Sequence, residues 1–88
     1  MDERKYALKI LRRAAKELES LPQETYDRIN ESIRRLAFDP YPNGSIKLVG
    51  REGFRLRVGK YRVIYDVDSK TRNVIILDIG HRKDIYKR

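Results

Sequence analysis

Arginines at alternating positions, with a single histidine and a tyrosine near the C-terminus, are the side chains best suited to chemistry in this sequence. They are Arg55, Arg57, Arg62, His81, Arg82 and Tyr86. Guanidinium groups bind phosphate oxygens in pairs and stabilise the charge that grows on a phosphate in a transition state. Histidine transfers protons near neutral pH, and tyrosine stacks on a base or transfers a proton. Such a set suits metal-free cleavage of RNA, in which the 2′-hydroxyl of the RNA is the nucleophile.

Each of these residues also has a structural interpretation. Arginines often cover the solvated face of an antiparallel sheet. A lone histidine is more often structural than catalytic, and Tyr86 could cap the edge of a sheet. Tyr61 and Tyr65 alternate with apolar positions, which indicates packing rather than chemistry.

The residues or motifs needed for thiol, metal-dependent or serine-based catalysis are missing from the sequence. The chain has no cysteine, which excludes thiolate nucleophiles, disulfides and zinc–thiolate sites. One histidine and no paired carboxylates leave few ligands for zinc or magnesium. The serines lack a nucleophile-elbow motif, and no glycine-rich phosphate loop occurs. We therefore expect neither a metal nor an organic cofactor.

The formal net charge of +8 is concentrated in two segments. Residues 46–62 carry six basic side chains against one acidic, and residues 80–88 carry four against one. Charge of this density suits a polyanion such as nucleic acid, although a basic excess can also serve solubility alone. The further RNA-binding side chains that this distribution predicts are Lys47, Arg51, Lys60, Lys83 and Lys87.

The first half of the chain reads as a strand and two helices. Residues 5–10 alternate weakly between polar and apolar side chains, which predicts a short strand. Apolar side chains at helical spacing follow, and Pro22 ends this first helix and suits the first turn of the next. In the second helix the apolar face runs from Tyr26 to Ala37, before a segment rich in proline and glycine.

The second half has the period of strands. Residues 54–58 and 61–67 alternate around a tight turn at Gly59-Lys60, and a mainly apolar run follows from Val74 to Ile79, where Gly80 ends it. The order predicts an α+β fold with a short N-terminal strand, a two-helix hairpin, an antiparallel three-stranded meander packed on the helices, and a basic C-terminal tail.

Strand pleating links this fold to the chemistry. If the apolar positions of residues 54–58 face the helices, Arg55 and Arg57 point to the opposite face. Arg62 can reach that face across the tight turn, and the tail after Gly80 could close over it. We therefore predict one concave surface that gathers these arginines with His81, Arg82 and Tyr86.

The bulk composition sets the class of protein. A length of 88 residues suits one domain. With 40% apolar and 39% charged residues the chain is neither disordered nor a membrane protein, and no stretch approaches the roughly 20 apolar residues of a span. The first residues have no apolar signal core, so we expect a cytoplasmic protein.

Three segments resemble the RelE/ParE toxin superfamily, and the resemblance extends over essentially the whole chain. They are Ile46-Lys47-Leu48 before the meander, Gly59-Lys60-Tyr61-Arg62-Val63-Ile64-Tyr65 in its middle, and Gly80-His81-Arg82-Lys83-Asp84-Ile85-Tyr86 at the end. The resemblance implies a single RelE-like toxin domain over residues 1–88. It further implies a type II toxin that cuts messenger RNA on the ribosome and forms a hetero-oligomer with a RelB-like antitoxin.

The resemblance also implies roles for residues. Arg55 and Arg57 match basic residues of the second strand, Arg62 matches an arginine of the third, and Arg82 and Tyr86 match positions after the last strand. Arginine stands where the best-known members have lysine, and arginine is not a general base near neutral pH. His81 has no counterpart in those members, but other branches of the family place a histidine near the C-terminus, which makes His81 the predicted base.

Two alternatives use the same residues differently. ParE-type members share the fold but inhibit DNA gyrase, and they generally lack the catalytic cluster. A basic module that binds nucleic acid without cutting it would show salt-dependent affinity only. An acidic or amphipathic antitoxin segment also has a physical reason to bind, because it would neutralise an exposed basic cleft.

Overall fold

The computed structural model describes residues 5–81 of the chain. Two helices and five strands follow one another, and they are β1 (Ala7–Ile10), α1 (Arg12–Glu19), α2 (Gln23–Leu36), β2 (Ser45–Lys47), β3 (Phe54–Val58), β4 (Tyr61–Asp68) and β5 (Asn73–His81). The strands form a single sheet in the order β1-β5-β4-β3-β2. Strands β2 to β5 are antiparallel neighbours, and β1 pairs with β5 in parallel. The predicted α+β architecture is confirmed.

The helical hairpin packs one apolar face on the sheet. Ile29, Ile33 and Leu36 recur at helical spacing in α2 and are almost completely buried. Burial of each such side chain stabilises the fold by about 1.5–3 kcal/mol. Pro22 precedes α2 as its N-cap in an extended conformation, which agrees with its predicted place between the helices. Neither helix within residues 5–81 is long and apolar enough to cross a membrane.

The sheet contains more than the predicted meander. The edge strand β2 pairs with β3 through Ile46 and its neighbours, in a segment that was predicted only to precede the sheet. The last strand also continues past its predicted end, since Gly80 lies within β5 opposite Arg62. Gly80 therefore does not end the strand. The neighbouring strand β4 extends to Tyr61, so the backbone of Gly80 and His81 still has a pairing partner.

Tyr65 ties the sheet to the segment after α2. Its ring is fully buried and stacks on Phe54, with the ring centroids 5.6 Å apart. Its hydroxyl donates a hydrogen bond of 2.8 Å to the carbonyl of Pro40. Burial raises the pKa of the Tyr65 phenol above its ordinary value, with Asp39 adding to the effect and a hydrogen bond with Ser45 opposing it.

A β-bulge interrupts the pairing of β4 with β5. Tyr65 lies opposite Ile76 and Ile64 lies opposite Asp78, so Leu77 has no partner in β4. An extra residue in one strand reverses the alternation of side chains beyond it relative to a regular strand. The bulge therefore decides which face of the sheet the end of β5 presents.

Candidate nucleic-acid interface

Three of the predicted arginines share the sheet face opposite the helices. Leu56 and Val63 are opposite each other in the core, and the alternating positions on the same two strands are Arg55, Arg57 and Arg62. We call these three residues the arginine face. Their grouping confirms the consequence that was expected from the pleat.

Arg57 and Arg62 are direct cross-strand partners. Side chains opposite each other in an antiparallel pair start about 4.5–5.5 Å apart at Cβ, and like charges in that position destabilise the sheet. An anion that contacts both guanidinium groups reduces this repulsion, so the pair is suited to binding a phosphate.

The surroundings differ along the arginine face. Arg57 is exposed, whereas Arg55 and Arg62 are half-buried and the Nε atom of Arg62 is shielded from solvent. Ile64, opposite Arg55, is 7% exposed. A guanidinium group keeps its charge in such a setting, and its attraction for an anion increases as water is excluded.

Asp78 is an acidic neighbour of this face that the sequence reasoning passed over. It lies opposite Ile64, and its carboxylate is 3.6 Å from Nε of Arg13 and accepts a hydrogen bond of 3.0 Å from the Ile79 N–H. The signal was available, because Asp78 is the one charged residue in the run from Val74 to Ile79. Its carboxylate limits how much negative charge the neighbouring part of the face attracts.

The prediction that His81 joins the arginines is wrong. His81 lies opposite Tyr61 on the face that the helices cover, and the two rings meet edge to face at 5.6 Å. Regular alternation from Val74 would have sent His81 to the arginine face, but the extra residue Leu77 reverses it. The sheet separates the imidazole from the predicted phosphate site.

The predicted lysine and arginine contacts lie at two ends of β3. Lys47 and Arg51 flank the turn between β2 and β3, and Lys60 lies in the turn between β3 and β4. All three are exposed. Lys47 is paired with Phe54, a position on the helix side of the sheet, so the structure does not bring it onto the arginine face.

The basic surface continues from Arg57 around the β3–β4 turn to α2. The Arg57 Nε donates to the carbonyl of Gly59 at 3.3 Å, which directs its guanidinium toward the turn. There it lines a groove with Arg28 and Arg35 of α2. Both arginines are exposed on α2, and the spacing of residues within this helix does not show which turn of the sheet lies beside them.

Metal ligands are not assembled in the described part of the chain. No group of three or more histidine or carboxylate side chains occurs there. The anion-binding capacity described above rests on arginine and lysine alone.

The sequence of this chain matches a family of toxins. A family model described as the ParE toxin of the type II toxin–antitoxin system parDE matches residues 4–86. The chain belongs to the RelE/ParE superfamily of type II toxins.

Relatives of this RelE/ParE toxin agree in sequence and fold. It is 32% identical over 87 residues to the putative toxin RelE1 of Methanocaldococcus jannaschii, which covers 94% of this chain and 97% of the relative. The RelE–RelB complex of the archaeon Pyrococcus horikoshii gives a TM-score of 0.76 at 33% identity, with 89% of this chain and 96% of that chain covered. The RelBE2 toxin–antitoxin complex of Mycobacterium tuberculosis gives a TM-score of 0.78 at 26% identity, with 88% and 98% covered.

Four predicted site residues of this toxin lie outside the described residues. They are Arg82, Lys83, Tyr86 and Lys87. Their roles stay predictions, and the described part of the interface consists of the arginine face and its continuation around the β3–β4 turn.

Proposed function

We propose that this toxin is an endoribonuclease that cuts messenger RNA on the ribosome without a metal ion. The observation that carries the proposal is the cross-strand pair of Arg57 and Arg62, with Arg55 on the same face. Three guanidinium groups on one face of two neighbouring strands are a set that a phosphodiester would bind.

The arginine face has a defined part in this reaction. The 2′-oxygen of the RNA attacks the adjacent phosphorus, and the bond from phosphorus to the 5′-oxygen breaks, which leaves a 2′,3′-cyclic phosphate and a 5′-hydroxyl. Negative charge on the phosphate increases in the transition state. Arg57 and Arg62 would bind its non-bridging oxygens, and Arg55 would hold the neighbouring phosphate.

Proton transfer belongs to other groups. A base removes the 2′-hydroxyl proton and an acid protonates the leaving 5′-oxygen. His81 faces the helices, so we no longer assign it either role. We propose instead that the segment after it contributes, with Tyr86 stacking on a base or transferring a proton and Arg82 binding phosphate.

The partner proposal follows from charge and from the solved relatives. The complexes from Pyrococcus horikoshii and Mycobacterium tuberculosis contain an antitoxin with the toxin. We propose that a RelB-like antitoxin binds this chain through an acidic or amphipathic segment, because such a segment would neutralise the arginine face. We further propose that residues 1–88 form one toxin domain that acts on ribosomes in the cytoplasm.

The test is cleavage of a translated message. The full chain would be added to ribosomes stalled with a defined codon in the A site, and the message would be mapped by primer extension. We expect a new 5′ end within that codon, and at least a hundredfold lower cleavage rate for Arg62→Ala. The matched control Arg34→Ala removes an exposed arginine from α2 and should cut normally. An intact message with the unmodified chain, or equal cutting by both variants, rejects the proposal.

Inhibition of DNA gyrase is a second candidate, and the description of the matching family model favours it. A gyrase inhibitor would block supercoiling by the purified enzyme and would leave translated messages intact. The two activities are therefore separated by running the supercoiling assay beside the cleavage assay. RNA binding that weakens with salt, without either activity, would indicate a non-catalytic basic module.

A further inference from the structure

A cavity of about 340 Å³ lies between α2 and the β3–β4 turn, beyond the arginine face. Its floor is apolar and consists of Ile29, Val58 and the ring of Tyr61, and its rim carries Thr25, Arg28 and Lys60. We call it the turn cavity. Its volume is in the range of sites that hold small molecules or one building block of a polymer.

The charge of the turn cavity selects an anion. Among residues 5–81 no carboxylate lines it, whereas Asp27 and Glu31 line the neighbouring groove. Glu31 is 3.5 Å from Arg35, and Asp27 accepts a hydrogen bond from Gln23. Between residues 5 and 81, Arg28 and Lys60 form no ion pair, so both cations are available to a ligand.

The floor suits a flat apolar group. The Tyr61 ring is half-buried and is held from one side by the edge-to-face contact with His81. A nucleobase gains about 1–3 kcal/mol by stacking on an aromatic side chain. This gives His81 a function that differs from proton transfer, because it fixes the orientation of the ring on which a base would stack.

The backbone at the rim leaves room for such a ligand. Gly59 has a φ of +59°, and Nη1 of Arg28 lies 3.9 Å from the position that a Cβ at this residue would occupy. The guanidinium group therefore lies over the one residue of the turn that has no side chain. It can approach a phosphate at the mouth of the cavity while the base lies inside.

The turn cavity is connected to the arginine face. Arg57 belongs to that face by register, and its hydrogen bond to the Gly59 carbonyl brings it to the turn that forms one wall of the cavity. Arg62, Arg57 and Arg28 therefore follow one another around the end of the sheet, with Asp27 and Glu31 also lining the groove that Arg57 shares with Arg28. A single-stranded polyanion with stacking bases fits this sequence of contacts.

We propose that the turn cavity binds one nucleotide of RNA, with its base on Tyr61 and its phosphate between Arg28 and Lys60. The inference rests on the proposed function only in taking RNA as the polyanion. It adds a binding site remote from the scissile phosphate, on the other side of the β3–β4 turn.

The direct test is a titration of the ¹⁵N-labelled full chain with nucleoside 5′-monophosphates, followed by NMR. We expect saturable shifts of the backbone amides of Thr25, Gly59, Lys60 and Tyr61, and smaller shifts with ribose 5-phosphate or inorganic phosphate. Arg28→Ala should weaken nucleotide binding about tenfold, the loss expected for one charge-assisted contact. The matched control Arg34→Ala, from the same helix, should leave it unchanged.

Lys60 and Tyr61 provide the companion variants. Lys60→Ala should weaken binding, whereas Lys70→Ala removes the same charge from the turn at the other end of β4 and should not. Tyr61→Leu should abolish the preference for a nucleotide over ribose 5-phosphate. If Tyr61→Leu does not fold, Arg28→Ala still tests the proposal, because Arg28 is exposed on the helix surface and its removal should not prevent folding.

Three results would overturn the proposal. Shifts of equal size with inorganic phosphate would show that the cavity binds any anion. Shifts confined to the arginine face would show that the nucleotide does not enter the cavity, and binding of an acidic peptide in place of the nucleotide would show a docking site for a protein. The titration contains no ribosome, so it can succeed in a protein that never cuts messenger RNA. Conversely, if the chain cuts messenger RNA but Arg28→Ala does not change nucleotide binding, the proposed function stands and the nucleotide site is rejected.

The source of the nucleotide is a separate question with its own test. A 2′-O-methylated oligoribonucleotide of about ten nucleotides, within the usual span of single-strand grooves, would be compared with a trinucleotide. If one strand occupies both the arginine face and the turn cavity, the longer oligonucleotide binds more tightly than the trinucleotide, and both Arg28→Ala and Arg62→Ala weaken its binding. If a separate strand, such as ribosomal RNA, supplies the nucleotide, the longer oligonucleotide gains no affinity over the trinucleotide.

Discussion

Tyr61 and His81 lie opposite each other on the helix-covered side of the sheet, with their ring centroids 5.6 Å apart and their planes inclined by 74°. Edge-to-face aromatic pairs of this kind stabilise by about 0.5–1.5 kcal/mol beyond the area they bury. The pair gives the single histidine a packing contact on the side of the sheet away from the arginine face.

His81→Ala should therefore change stability more than activity. The variant loses the contact with Tyr61, and we expect its free energy of unfolding to fall by about 1 kcal/mol. Cleavage of messenger RNA at neutral pH should stay within about twofold of the unmodified chain, because the imidazole lies across the sheet from the arginine face. Urea unfolding and the ribosomal cleavage assay measure the two effects. A hundredfold loss of cleavage in a stably folded variant would restore His81 as the base.

Arg57 and Arg62 should act as a unit. If both bind one phosphate, each single alanine variant lowers the cleavage rate by about a hundredfold or more, and the double variant is only slightly slower than the slower single one. A double-mutant cycle on the cleavage rate tests this statement, and thermal unfolding of each variant checks that it is folded. Additive losses in rate would place the two arginines on different phosphates.

Tyr65→Phe tests the buried hydrogen bond to Pro40. The substitution keeps the ring but leaves the carbonyl without its donor, and we expect a loss of about 1–3 kcal/mol. Arg34→Ala, which removes an exposed side chain, serves as the control and should stay within about 0.5 kcal/mol.

The same residue predicts a difference in alkaline stability. Because the pKa of Tyr65 is raised in the folded state, the unfolded chain loses this proton first as the pH rises. The stability that the neutral phenol contributes is complete below about pH 10 and is lost as the pH climbs toward the folded value. Urea unfolding from pH 8 to 11 should therefore show a steeper decline for the unmodified chain than for Tyr65→Phe. Parallel declines would contradict the raised pKa.

Deletion of Leu77 should be tolerated better than deletion within β4. Leu77 is the extra residue of the bulge, so its removal preserves the pairing of Ile76 with Tyr65 and of Asp78 with Ile64. We expect a folded variant that is destabilised by about 1–3 kcal/mol, since a half-buried leucine is lost.

Asp66 provides the matched deletion. Its removal takes away no apolar side chain but moves the end of β4 to the wrong face, so that variant should fail to fold cooperatively. Circular dichroism melts and the nuclear Overhauser contacts between Tyr61 and His81 report the outcome. If the Leu77 deletion abolishes that ring contact, the bulge has been assigned to the wrong residue.

Local sequence determined both helices, the strands β1, β3 and β4, and the arginine face. The spacing of apolar residues changes at Phe54 from the helical period to the period of strands. Between Arg57 and Arg62 lies only a tight turn, so strand pleating alone places both side chains on the same face of the sheet. These relations involve residues that are close in the chain, so periodicity suffices to predict them.

Tertiary structure decided the position of His81 and the partners of α2. Whether a long strand contains a bulge depends on how it pairs with its neighbours, and one extra residue at Leu77 moves the histidine from the arginine face to the helix side. Likewise, Arg28 meets the β3–β4 turn because the helical hairpin packs across the sheet at that point. Such contacts join segments about 30 residues apart, and the packing of a whole face, rather than any local spacing, sets them.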